Sequence, residues 1–158
     1  MPKSHCVENF KIAAGLSDGT YYGLPWQDHD LAKWMEAAAF GLMNYPNPRI
    51  EQIMDDTIAL LKQAQKPDGY LNTYYTLKEP EKRFTDFAYG HEILNCGHFL
   101  EASITYFTAT GKSDFLEITR KNVDLIYDVV MGSKDNIFPG HEEMEIALLR
   151  LYDLTKQS

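Results

Sequence analysis

Two cysteines, Cys6 and Cys96, are all that the 158 residues contain. That is too few for a disulfide scaffold, and no C-x-x-C pair is present. Cys96 falls inside an apolar helical pattern, which predicts a buried free thiol. No stretch is apolar enough to span a bilayer, so no membrane partner is expected. Lys and Arg number 15 against 23 Asp and Glu, a net charge of -8, and the basic residues form no cluster. That argues against a nucleic-acid or anionic-membrane partner and fits a neutral ligand. The opening "MPKSHCVENF" has no long apolar run and so no secretory leader. If the chain is complete it would be cytoplasmic; if it is a piece of a larger protein, its localisation is unknown. There is also no run of alternating β-branched residues, which removes the main signal for a sheet.

What is present is helical. Apolar residues make up 44% and charged residues 24%, a globular composition, and the length suits one domain. "FKIAAGLSDGTYYGLPWQDHD" reads as extended chain and turns. "DLAKWMEAAAFGLMN" then places Leu31, Trp34, Met35, Ala38, Phe40 and Leu42 at helical spacing, with Asp28 or Asp30 as candidate cap. "PRIEQIMDDTIALLKQAQ" is a clear amphipathic helix with Pro48 near its start. Residues 67–90 form a long connection rich in aromatics: Tyr70, Tyr74, Tyr75, Phe84, Phe87 and Tyr89. A stretch of that kind is either functional or a loop packed by its own rings. Further helices are predicted over 91–109, over 114–131 with Ser113 as cap, and from near His141 onward. Helix, Thr-Gly turn, helix recurs weakly along the chain, which predicts antiparallel α-hairpins stacked side by side. The last copy stops where its second helix should begin, so the chain reads as cut at its C-terminus.

Three stretches carry candidate chemistry. In "YGHEILNCGHFLEASITYF" His91 and His98 stand seven residues apart, two helical turns, and so share a face with Asn95, Ala102, Thr105 and Ala109. The simplest reading is a surface helix with histidines in water. The stripe holds no charged residue, however, which suits a helix facing a cleft. In "FPGHEEMEIALLRLY" His141 stands at a helix start, and Glu142, Glu143 and Glu145 are what the helix dipole favours in a first turn. The spacing is not the H-E-x-x-H of a zinc protease, and His91, His98 and His141 match no zinc signature. In "LPWQDHDLAKW" Asp28, His29 and Asp30 lie between Trp26 and Trp34. Aromatic planes beside carboxylates occur in sugar sites, and equally as a helix cap with core tryptophans.

Taken in order, "NFKIAAG", "GLPWQDHDLAKWMEAAAF", "QKPDGYLNTYYTLKEPEKRFTDF", "HEILNCGHFLEA" and "PGHEEMEIALLRLYDLT" resemble the N-terminal part of the β-L-arabinofuranosidase family of glycoside hydrolases, family 127. The resemblance runs from Asn9 to Thr155. It implies an all-α fold, antiparallel helical hairpins forming an incomplete (α/α)6 toroid, with residues 1–158 as a single partial catalytic domain. It implies a carbohydrate partner of arabinofuranoside type. The pocket histidines of the family correspond to His98 and His141, His91 keeps its place seven residues before His98, and Trp34 and the Gln27–Asp28 pair are further substrate-binding candidates. The family's acid/base glutamate and its zinc-bound cysteine nucleophile lie further along the chain than any residue here. No cofactor is therefore expected in this chain, zinc being expected in the full-length site, and no catalytic residue is assigned. The expected function is one wall of a sugar cleft, in a chain that alone hydrolyses no glycoside. The alternative is a non-catalytic helical-repeat module that binds a protein. An open arc of such a toroid leaves inner-helix faces bare, which predicts self-association.

Overall fold

In the computed structural model, which describes residues 4–156, seven α-helices follow one another: α1 (Cys6–Ala13), α2 (Asp28–Asn44), α3 (Pro48–Ala64), α4 (Thr73–Leu77), α5 (Glu92–Thr110), α6 (Asp114–Gly132) and α7 (Glu143–Thr155). A short 3-10 turn lies at Pro80–Lys82, and there is no strand among the described residues. The start of α3 shows the local logic. Asn47 is extended, and its side-chain oxygen accepts the N–H groups of Arg49 and Ile50. Pro48 takes a first-turn position where a missing N–H goes unmissed. The turn between α5 and α6 closes on Gly111, whose φ of 75° is the left-handed conformation that ends a helix and that glycine adopts without a Cβ clash.

α5 is the central helix and is buried on nearly every side. Phe99 meets Phe10 of α1 edge-on at 5.9 Å and Phe115 of α6 at 6.4 Å. α2 and α7 flank it, and the contacts between them run in register. His29, His98 and Glu143 meet at one level; Glu36, Glu101 and Arg150 meet further along. Ascending contacts of this kind require α2, α5 and α7 to be parallel. They form an inner layer, while α3 and α6 return outside it. Those two are parallel to each other as well, since Lys62 pairs with Asp114 and the Gln65 amide donates to the Ile118 carbonyl.

Several expectations need correction. The opening segment is not all extended chain: Cys6, Asn9 and Phe10 bury one face of α1, and burial rather than a capping signal holds that short helix. Asn9 then clamps the chain that follows, bonding the N–H and the carbonyl of Tyr22. The aromatic connection contains α4, capped by the Asn72 side chain on the Tyr75 N–H. The polar stripe of α5 is not a solvent face, because Asn95, Ala102 and Thr105 are buried. Neither Asp28 nor Asp30 caps α2, and the Ser113 hydroxyl donates to Glu117 rather than capping α6. α7 begins at Glu143, two residues past His141.

Candidate functional site

The parallel inner helices bring their N-terminal ends to one rim. His91, just before α5, has φ 57°, a left-handed conformation that turns the chain sharply into the helix. Its ring stacks on His141 at 5.2 Å with 24° between planes and meets the edge of Trp26 at 5.0 Å. Two turns into α5, His98 lies 5.5 Å from His29, rings tilted by 64°. Nδ1 of His98 is 2.8 Å from Oε1 of Glu143, the first residue of α7. Between these groups is a cleft of about 350 Å³ lined by His29, Lys33, Leu94, His98, His141 and Glu143.

The connection 67–90 holds this rim from behind. Glu92, 3% exposed, accepts a hydrogen bond from the Tyr70 hydroxyl and another, 2.8 Å long, from the Phe84 N–H. Arg83 lies 3.8 Å from the centre of the Tyr70 ring and pairs with Asp68 at 2.7 Å. Gly140 sits directly against the Ala88 carbonyl, with no room for a Cβ, which fixes the approach to His141.

Electrostatically the rim favours neutral imidazoles. Burial, then Lys33 and the neighbouring histidines, pushes His98 down to about 4. Burial and then Lys33 lower His29; burial and then His141 lower His91. Burial, followed by Glu101 and Glu36, raises Glu143. A neutral imidazole offers one donor and one acceptor. Nδ1 of His29 and Nδ1 of His91 are enclosed without a hydrogen-bond partner among the described residues. The rim therefore presents neutral imidazoles and ring faces, with the Lys33 ammonium and the Glu142 and Glu143 carboxyls beside them, a mixture of hydrogen-bonding groups that a polyhydroxylated ligand matches.

Of the residues singled out in the sequence, His91, His98 and His141 come together here. Gln27 is close by, but its amide donates to Asp30 at 2.6 Å. Asp28 turns inward: it is 1% exposed and both oxygens are taken, by the Thr73 N–H and hydroxyl at 2.6 Å each. Burial raises its carboxyl to about 6 against the pull of those two bonds. Trp34 lines a different hollow, between α2 and the start of α3, with Tyr45 and Ile50. Trp26 is the tryptophan at the rim. His29, Lys33 and Glu143 complete the cleft. His29 carried a signal, the D-H-D triple; Glu143 carried none beyond its helix start.

The residues present do not suit zinc. Among the described residues no three His, Cys, Asp or Glu side chains converge as ligands. Cys6 and Cys96 lie in separate core clusters, and burial raises both thiols.

The whole chain, residues 1–158, matches the sequence model of the family described as "Beta-L-arabinofuranosidase, GH127 catalytic domain". A non-reducing end β-L-arabinofuranosidase of Bifidobacterium longum subsp. longum is 38% identical over 160 residues, covering 97% of this chain and 24% of the relative. The crystal structure of Ara127N-Se, a GH127 β-L-arabinofuranosidase from Geobacillus stearothermophilus T6, superposes with a TM-score of 0.92 at 48% identity, covering 99% of this chain and 26% of that one. A second solved GH127 β-arabinofuranosidase gives a TM-score of 0.85 at 31% identity, with 99% and 26% coverage. The chain thus spans about a quarter of the length of these relatives. Their fold is an (α/α) toroid, and the parallel inner and outer layers here are an arc of it.

Proposed function

We propose, on the premise that this chain belongs to the GH127 β-L-arabinofuranosidase catalytic-domain family, that it supplies one wall of the carbohydrate cleft of a glycoside hydrolase acting on β-L-arabinofuranosides or similar sugars. The observation that carries this reading is the shared cleft of His29, His98 and His141 at the rim of three parallel helices. Its neutral imidazoles suit sugar hydroxyls, which both donate and accept. Trp26 and the stacked His91–His141 pair add apolar ring surface beside them.

Among the described residues the carboxylates lining the cleft are Glu142 and Glu143, neighbours at the start of α7, whereas a glycosidase needs an acid and a nucleophile or base on opposite sides of the scissile bond. Glu143 is engaged by His98, and Asp28 by Thr73. The role assigned to this chain is therefore binding and orientation. Zinc, where the complete family site holds it, would keep a bound cysteine deprotonated as the thiolate nucleophile, and no described residue is assigned to hold it. The apolar side chains left exposed on α6 and α7, Tyr127, Met131 and Leu149 among them, support self-association of the chain.

The test is a titration of the protein with methyl β-L-arabinofuranoside, followed by saturation-transfer NMR. The expected result is transfer to the sugar ring protons that is lost in H98A. No transfer at saturating sugar, or transfer unchanged in H98A, would sink the reading.

A further inference from the structure

The geometry points to Glu143 as a positioning residue that, with Gly97, fixes the proton of His98 on Nδ1 and leaves Nε2 as a bare acceptor facing the cleft. The first support is the 2.8 Å separation of Nδ1 and Oε1. Two lone pairs held that close repel, so a proton must lie between them. Glu143 as a carboxylate carries only acceptors, and the proton then belongs to the imidazole nitrogen. His98 is only 13% exposed at its side chain and lines the cleft. No hydrogen bond to its Nε2 is found among the described residues, and the ring borders the cleft.

The second support is independent of any charge. Gly97, the residue before His98, faces the start of α7 with no clearance. A Cβ there would lie 2.8 Å from Cγ of Glu143 and 3.0 Å from the backbone of Glu143 and from the Met144 N–H nitrogen. Backbone cannot yield cheaply at such distances. Glycine at this position is what lets the first turn of α7 come close enough to set its carboxylate against the imidazole. A helical glycine carries a propensity cost of about 1 kcal/mol relative to alanine, and the close approach gives that cost a purpose.

The consequence deepens the carbohydrate reading, on which it rests only for the identity of what meets Nε2. With Nδ1 occupied, His98 accepts and does not donate on the cleft side. It therefore selects a ligand that places a hydroxyl donor there. His141, at the cleft mouth, has no such carboxylate paired with its ring among the described residues, so the two histidines are not equivalent.

The experiment reads the tautomer directly, by long-range nitrogen–proton correlation spectra of the protein labelled at histidine, with wild type, E143A and G97A compared near neutral pH. The expected result is a single Nδ1–H form of His98 in the wild type. In both variants the ring should revert toward the Nε2–H form that a free imidazole prefers. An Nε2–H form in the wild type, or a tautomer unchanged in E143A, overturns the inference. Should E143A fail to fold, the wild-type spectrum and G97A decide it. A second arm titrates methyl β-L-arabinofuranoside. Binding should weaken about tenfold in E143A, the loss of one hydrogen bond to the sugar, and equal affinity overturns the inference. A wild-type protein that binds no sugar defeats the carbohydrate reading and leaves the tautomer arm to judge Glu143 on its own.

Discussion

At the starts of α2 and α5, Nδ1 of His29 and Nδ1 of His91 are enclosed without a hydrogen-bond partner among the described residues. Two turns further along the same helices, polar groups satisfy one another. Arg150 of α7 reaches Glu36 of α2 at 3.0 Å, Glu101 of α5 at 2.7 Å and the Thr105 hydroxyl at 2.8 Å. Among the described residues at that level, Oε1 of Glu101 is left enclosed without a partner. Buried polar atoms are normally paired, so the two levels differ in purpose. The inner level ties three helices together. The rim keeps two enclosed imidazole nitrogens unpaired among the described residues, beside ring edges that border the cleft.

This contrast predicts that changes at paired positions cost stability, while changes at the rim cost binding. The sharpest case is Asp28, which belongs to the rim by sequence and to the paired class by structure. D28A leaves the Thr73 N–H and hydroxyl without acceptors in the core, and should destabilise by about 3 kcal/mol, read from chemical denaturation. A loss of sugar binding in D28A without any loss of stability would break the distinction. R150A should cost about 2 kcal/mol. It strands Glu36 and Glu101, but the guanidinium is partly solvated, which keeps the figure below that of a fully buried pair. Sugar affinity should survive R150A in the folded protein.

Glu92 tests the clasp behind the rim. Burial raises its carboxyl to about 7, against the Tyr70, Phe84 and Arg83 contacts that lower it. A carboxyl raised on folding contributes stability that is complete below its unfolded value near 4.5 and is lost as pH rises through about 7. His98, pushed down to about 4, contributes with the opposite sign: its share is present above about 6.5 and is lost as pH falls toward 4. Comparing E92Q with the wild type isolates the first effect. The wild type should lose on the order of 1 kcal/mol more than E92Q between pH 5 and pH 7. Parallel profiles would count against a buried, titrating Glu92. The smallest stability effect belongs to H141A. His141 is exposed and stacked on one ring, so its loss should shift stability by less than about 0.5 kcal/mol, while sugar binding falls.

The fold was legible where side-chain pattern and punctuation agree. Pro48 with a periodic apolar face gave α3, and Gly111 gave the end of α5. The inner layer followed from counting helices between turns, since alternate helices of stacked hairpins run the same way. α1 was hidden because eight residues without a capping side chain carry no helix signal of their own; its burial against Phe99 is tertiary. α4 was hidden because a five-residue helix shows no periodicity, although Asn72 three residues before Tyr75 is a capping spacing. At the site, helix geometry put His91 and His98 on one face, and the family resemblance added His141. Trp34 could not be separated from Trp26 in that way. It sits five residues beyond His29, far enough round α2 to face the start of α3. Glu143 looked like a dipole-favoured first-turn residue, and only the packing of α7 against Gly97 shows its carboxylate beside His98.

The central claim is that the histidine rim, and not the Trp34 hollow or any other surface, is where this chain meets carbohydrate. A crystal structure of the protein soaked with methyl β-L-arabinofuranoside tests it most directly. The account predicts a furanose ring in the cleft between α2, α5 and α7, with a hydroxyl within hydrogen-bonding distance of Nε2 of His98 and another near His141. Sugar seated against Trp34, Tyr45 and Ile50, with the histidine rim empty at saturating ligand, would contradict it.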